Sequence, residues 1–155
     1  TTQAGMVPLF YGIGFGLAVF ADPLLDRLGL ARVTAPAFLA ITVVYGAMIV
    51  LSGTFYGLLA VAVAWGITQH FGLNLVVARL TALDPSQRSA IMGLFSTVTY
   101  LCIFAVPVLG GLAYSGWGLA GCLTVSAVLC LIESFEALSL RRVTSRAHAA
   151  PDVPA

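Results

Sequence analysis

Five long apolar runs, separated by short connections, constrain the fold of this chain more than any other feature of its sequence. Each run comes close to or exceeds the ~20 residues that a helix needs to cross the ~30 Å hydrocarbon core of a membrane. The runs do not alternate polar with apolar side chains, as the strands of a membrane barrel would. Because a chain in lipid must satisfy its own backbone hydrogen bonds, each run is predicted to be a helix. The predicted helices cover residues 5–23, 34–52, 55–77, 90–113 and 117–138.

The composition leads to the same class of protein. Of the 155 residues, 60% are hydrophobic and only 8% are charged, whereas soluble domains contain about 25% charged residues. A soluble body of this size could not bury so much apolar surface. The sequence therefore predicts an all-α, polytopic integral membrane protein embedded in the lipid bilayer. Residues 1–140 would form the transmembrane domain, and residues 141–155 a polar cytoplasmic tail.

The arginines predict how the chain is oriented. All seven basic residues are arginines, and they fall in the first connection, the third connection and the tail: Arg27, Arg32, Arg79, Arg88, Arg141, Arg142 and Arg146. Five spans would place these three segments on the same side of the membrane, which the positive-inside rule makes cytoplasmic. We therefore expect a cytoplasmic C-terminus, in a plasma membrane such as the bacterial inner membrane.

Several function classes are disfavoured by what the sequence contains. The net charge is +1, and neither a basic run nor a set of stacking aromatic residues indicates a nucleic-acid partner. The cysteines lie inside apolar runs and are expected to be small packing residues. Only one histidine lies in a predicted helix, and metal-ligand spacings such as His-x-x-x-His are missing, so we expect no metal, no cofactor and no enzymatic activity.

The first charged stretch carries a family resemblance. It reads Asp22-Pro-Leu-Leu-Asp26-Arg27-Leu28-Gly29 and resembles the short cytoplasmic loop of major facilitator superfamily transporters, Gly-x-Leu-Ala-Asp-Arg-x-Gly-Arg-Lys. Leu24, Asp26, Arg27 and Gly29 match, whereas Asp22 replaces the first glycine and the basic pair is missing. The resemblance implies a gating loop in which Asp22 and Asp26 pair with Arg27 or with Arg88 of the third connection. Without any such role, Gly29 would still be a helix-ending glycine.

A second resemblance lies in the fourth run. Val106-Pro107-Val108-Leu109-Gly110-Gly111 is similar to the Gly-Pro-x-x-Gly-Gly element of exporters in this superfamily, with Val106 replacing the first glycine. The residues from Arg88 onward are similar to the tenth loop and eleventh helix of sugar- and drug-efflux members. Pro107 would bend the helix, and Gly110 and Gly111 would permit a close helix crossing. Other glycines also favour close packing: Gly12, Gly14 and Gly16 in the first run, Gly118 and Gly121 in the fifth.

Together the resemblances imply most of one six-helix half of a transporter. Helices eight to twelve fit better than helices two to six, because the third run lacks the arginine usual in the fourth helix and the chain ends in a polar tail. The chain would then be a fragment whose N-terminal transporter half is missing. The implied function is secondary transport: efflux of a small molecule by alternating access, coupled to an ion or a proton. The alternative is a non-transporting or truncated helical membrane protein.

The densest polar cluster predicts a substrate site. Gln69, His70 and Asn74 lie deep in the third run, where polar groups are costly, and His70 and Asn74 share one helical face. In the resemblance this run is helix ten, which lines the central cavity. These three side chains, together with Tyr100 of the fourth run, are therefore the predicted substrate-binding residues, and His70 could titrate near neutral pH. The alternative is that they bond neighbouring helices.

Overall fold

The computed structural model describes the backbone of residues 2–149 and the side chains of residues 5–23 and 27–139. This described part is helical and contains no strand, so the all-α prediction is confirmed. Single 3₁₀ turns, Val19–Ala21 and Pro85–Gln87, join α1 to α2 and α4 to α5. The helices are α1 (Thr2–Ala18), α2 (Asp22–Leu28), α3 (Leu30–Leu51), α4 (Phe55–Leu83) and α5 (Arg88–Ala149).

Within the described residues, three helical stretches are long and apolar enough to cross a membrane, rather than five separate ones. They are Leu30–Leu51, Phe55–Leu83 and Pro85–Ser139, and a shorter apolar helix covers Gly5–Ala21. The fourth and fifth predicted runs lie in α5, which consists of two helices that meet at a kink at Gly118, two residues beyond the connection predicted at residues 114–116. Its one non-helical residue is Gly118, with φ 66° and ψ −172°, a left-handed conformation that glycine adopts without steric cost. Five spans remain a prediction.

The charged stretch is helical rather than an open loop. Residues 22–28 form α2, α3 begins at Leu30, and Gly29 alone separates them with φ 80°. A side chain at position 29 would strain this left-handed backbone, which explains why a glycine ends the helix there. The predicted connection, residues 24–33, is thus reduced to one sharp turn at Gly29.

A carboxylate fixes the turn between α4 and α5. Asp84 Oδ1 accepts hydrogen bonds from the Ser86 hydroxyl at 2.6 Å and from the Ser86 backbone N–H at 2.9 Å. These bonds hold the pKa of Asp84 below its ordinary value because they favour the charged carboxylate, and the bond from the hydroxyl has the largest effect. The turn therefore begins with a local Asp-Pro element, as is typical of this dipeptide.

Glycines bring α1 and α4 into backbone contact. A Cβ added at Gly66 would collide with the Tyr11 carbonyl oxygen, and one at Gly14 with the Val63 carbonyl oxygen. Next to this crossing, the rings of Tyr11 and Trp65 lie 4.6 Å apart between centroids. In membrane proteins such close packing, rather than the hydrophobic effect, joins helices. α1 and α4 are therefore a tightly fitted pair.

The later part of α5 packs on α3. The buried Ser134 hydroxyl donates a hydrogen bond to the Ala35 carbonyl at 3.0 Å, and Ala137, on the next turn, is also buried. α3 in turn packs on α4, where Ile41 fills the space that a side chain at Gly72 would need. α3 thus joins the α1–α4 pair to the later part of α5.

The earlier part of α5, residues 88–117, contains no buried residue. Large apolar side chains are exposed around its circumference, including Tyr100, Phe104 and Leu112. No atom would meet a Cβ at Gly111 within 4 Å, and at Gly110 only Val106 of the same helix would, at 3.7 Å. The helix crossing predicted at Pro107, Gly110 and Gly111 therefore has no partner among the described residues.

Candidate functional site: a polar cluster between α2 and α4

A hydrogen-bonded pair links the start of α2 to the middle of α4. His70 Nε2 lies 3.0 Å from Asp22 Oδ1 and 3.2 Å from Oδ2. The histidine side chain is 7% exposed and the aspartate side chain 37%. The turn Val19–Ala21 carries the chain to Asp22, and α4 presents His70 towards it. The pair joins residues 48 positions apart in sequence, so it is a tertiary contact and not a local one.

Asn74 extends this pair by one helical turn. Its Nδ2 lies 2.9 Å from His70 Nε2, the same atom that contacts Asp22. One ring nitrogen cannot donate to the carboxylate and also accept from an amide N–H. Donation to the carboxylate is the stronger bond because the acceptor is charged. Nε2 therefore either donates to Asp22 or accepts from the Asn74 N–H, and these two bonds compete.

Apolar contacts surround the rest of the His70 ring. Phe15 of α1 meets it edge to face at a centroid distance of 4.8 Å, and Phe71 lies at 5.7 Å. Nδ1 is buried and has no hydrogen-bond partner among the described residues. His70 is thus held at a helix interface, and its one polar contact outside α4 is Asp22.

A cavity of about 560 Å³ opens beside the cluster. Its polar walls are Asp22, Asn74 and Arg88. Its apolar walls are Leu30 and one apolar face of α4. Thr81 also lines it, but its hydroxyl bonds backbone carbonyls of its own helix. The cavity therefore offers a carboxylate, an amide and a guanidinium to a small polar molecule.

A second cavity, of about 420 Å³, lies between α4 and α5. Arg79, Glu133 and Glu136 are its charged walls, and Arg79 Nη1 lies 3.6 Å from Glu133 Oε1. Both side chains are about one-third exposed, so this ion pair contributes ~0–1 kcal/mol to stability. It links the last turns of α4 to the later part of α5.

The structure separates the predicted substrate residues. His70 is buried in a helix contact, Asn74 lines the larger cavity, and Gln69 is half-buried with no hydrogen bond to another described residue. Tyr100 is 72% exposed on residues 88–117 of α5. The described residues contain no group of three side chains suited to a metal.

The predicted gating residues are also divided. Asp22 pairs with His70 instead of with Arg27 or Arg88, because α4 brings the imidazole to the end of α1. Arg27 is exposed, Arg88 lines the cavity that Asp22 also lines, and the Asp26 side chain lies outside the described residues. The sequence held one clue to the Asp22–His70 pair: Asp22 at the edge of the first apolar run and His70 deep in the third are both ionisable, and an unpaired charge is costly there.

The sequence resembles one curated transporter at a distance. Over 131 residues, or 84% of this chain, it is 25% identical to an uncharacterized MFS-type transporter, YwfA, of Bacillus subtilis (strain 168). The chain spans about a third of the length of that relative, 32%. No family model and no solved structure matches the chain. This chain is therefore similar to a membrane transporter of the major facilitator type.

Proposed function

We propose that this chain is part of a secondary transporter of the major facilitator type, which moves a small molecule across the plasma membrane by alternating access. The observation that carries the proposal is the similarity to an MFS-type transporter over 84% of the chain. The apolar helices, three of them long enough to span a bilayer, are the kind of body that such a mechanism uses. Efflux, coupled to an ion or a proton, is the proposed direction.

The exposed earlier part of α5 supports the proposal of a missing N-terminal half. Side chains such as Phe104, 80% exposed, and Leu112, 68% exposed, point to all sides of that helix. Apolar surface of this extent needs cover. Lipid would cover one side and the other transporter half the opposite one, as proposed for helix eleven of a C-terminal half. The distribution of the arginines favours a cytoplasmic C-terminus for this arrangement.

Within this proposal the polar residues take different roles. Asn74, exposed in the cavity, is the residue of α4 best placed to contact a substrate, with Arg88 across from it. Gln69 and Tyr100 would line a central cavity that the other half completes. His70 would act mainly through Asp22, by holding α4 against the first turn of α2.

Proton-coupled flux in the full-length protein tests the proposal. We would energise inside-out vesicles by respiration, add sugars or organic cations such as tetraphenylphosphonium, and follow the pH gradient with an acridine dye. A transported compound should dissipate the gradient in a saturable manner. Vesicles that contain the protein but show no compound-dependent proton flux across this panel would contradict proton-coupled efflux of these substrate classes.

Asp26→Asn tests the gating role in the same vesicles. We expect several-fold slower turnover, with the half-saturating concentration changed by less than a few-fold, because a gate residue acts on the conformational step and not on binding. Asp84→Asn is the matched control, since it removes the same charge from a turn in which Asp84 bonds only its own neighbours. Equal turnover rates for wild type and Asp26→Asn would contradict the gating role and would leave this stretch as a simple helix end.

A further inference from the structure

We infer that the Asp22–His70 hydrogen bond is a latch, which holds α2 against α4 and closes the cavity beside it. α2 packs on its chain neighbours, α3 and the turn Val19–Ala21, and has no extensive contact with α4. Among the described side chains of α2, those of residues 22, 23, 27 and 28, the Asp22 carboxylate is the one with a hydrogen bond to that helix. This inference does not depend on the transporter proposal, because it concerns a contact within this chain.

The bond has the strength expected of a latch rather than of a permanent joint. A single hydrogen bond to a charged group contributes modestly to stability, so one competing interaction can replace it, and the Asp22 side chain is partly open to the cavity, at 37% exposure. The aromatic rings that contact the histidine are Phe15 of α1 and Phe71 of α4, and neither belongs to α2. Loss of this one bond would free α2 without unfolding the α1–α4 pair.

A competing partner for the carboxylate stands in the same cavity. Arg88, at the start of α5, lines it together with Asp22 and forms no ion pair with a described residue. A guanidinium binds a carboxylate in two parallel hydrogen bonds, which a single imidazole N–H cannot do. Asp22 thus has two alternative partners on different helices, His70 in the closed arrangement and Arg88 in an open one.

Asn74 connects this latch to whatever occupies the cavity. Its amide competes for His70 Nε2, the atom that donates to Asp22. A ligand that binds the Asn74 amide changes that competition, and by reciprocity the state of the latch changes the affinity for the ligand. The latch therefore links occupancy of the cavity to the position of α2.

Cysteine accessibility in the full-length protein tests the latch. In a background without native cysteines, a reporter is placed in the cavity wall by Ala78→Cys, and its rate of reaction with an impermeant maleimide is measured in inside-out vesicles. Asp22→Ala and His70→Leu should each raise this rate several-fold. The double variant should be no faster than either single variant, because both remove the same bond. His70→Gln keeps an N–H donor and should restore a rate near that of wild type.

Two further positions and one further variant complete the design. Ser86→Cys, exposed in the turn before α5, should react equally in all variants, and Ala137→Cys, buried between α3 and α5, should stay unreactive. Arg88→Gln removes the competing partner and should lower the rate at position 78. Additive effects of Asp22→Ala and His70→Leu, unchanged rates at position 78, or an equal rise at positions 78 and 137 would each overturn the inference.

Discussion

Replacing Gly66 by alanine is expected to cost most of the folded protein. The new Cβ would collide with the Tyr11 carbonyl oxygen and lie 2.6 Å from the Phe15 backbone nitrogen. Both are backbone atoms of α1, so no side chain can move aside and the two helices must separate. Overpacking of this kind costs about 1–3 kcal/mol or more, and in lipid the lost contacts have no hydrophobic substitute.

The yield of monodisperse full-length protein in detergent, together with its thermal unfolding midpoint, measures this effect. Gly14→Ala should behave like Gly66→Ala, because its Cβ meets the Val63 carbonyl. Gly46→Ala and Gly93→Ala are the matched controls, since no atom lies within 4 Å of their added methyl groups. Alanine favours a helix over glycine by about 0.8–1.0 kcal/mol, so the controls should fold at least as well as wild type. Equal yields for Gly66→Ala and the controls would contradict the backbone contact.

His70→Ala and Asn74→Ala are expected to have opposite consequences, although the two residues are one helical turn apart. His70→Ala empties a buried space beside Phe15 and leaves Asp22 without its partner. The cost is on the order of 2–4 kcal/mol of folding free energy, from the cavity and the lost hydrogen bond. Asn74→Ala removes an exposed side chain and should leave the folded yield unchanged.

Folded yield and substrate profile, measured together in the full-length protein, distinguish these roles. We expect His70→Ala to lower the yield and to leave the affinity of the surviving protein within a few-fold. We expect Asn74→Ala to retain normal yield and to change affinity or substrate preference. A normal yield for His70→Ala combined with altered affinity would return His70 to the substrate site. A reduced yield for Asn74→Ala would assign that residue to helix packing.

The sequence was sufficient to predict the all-α class of fold and the approximate bounds of its helices. Hydropathy alone predicted helices across residues 34–52 and 55–77, and the structure has α3 and α4 there, with α3 beginning earlier, at Leu30, and α4 ending later, at Leu83. The same logic predicted a break at residues 114–116, close to the kink at Gly118, but not the form of that break. At Gly118 a positive φ interrupts α5 without a polar loop, and hydropathy does not report a backbone angle.

The tertiary contacts could not be read from the sequence. Periodicity along α4 shows that His70 and Asn74 share a face, but it says nothing about which residue of another helix meets that face. Asp22 is 48 residues away from His70, and its approach depends on how α1 crosses α4. That crossing depends on Gly14 and Gly66 in combination, and neither glycine identifies the other in the absence of the fold.

The central claim is that this chain forms part of an alternating-access transporter. Labelling of single cysteines from each side of the membrane tests this claim most directly. In the full-length protein, Ser86→Cys and Ser145→Cys should react only from the cytoplasmic side, and Ser115→Cys only from the outside. Tyr100→Cys should react from both sides, because a cavity residue is reached from each face in turn, whereas Ala62→Cys, fully buried in the α1–α4 pair, should react from neither. Reaction of Ser86→Cys from the outside, or of Tyr100→Cys from neither side, would contradict the account.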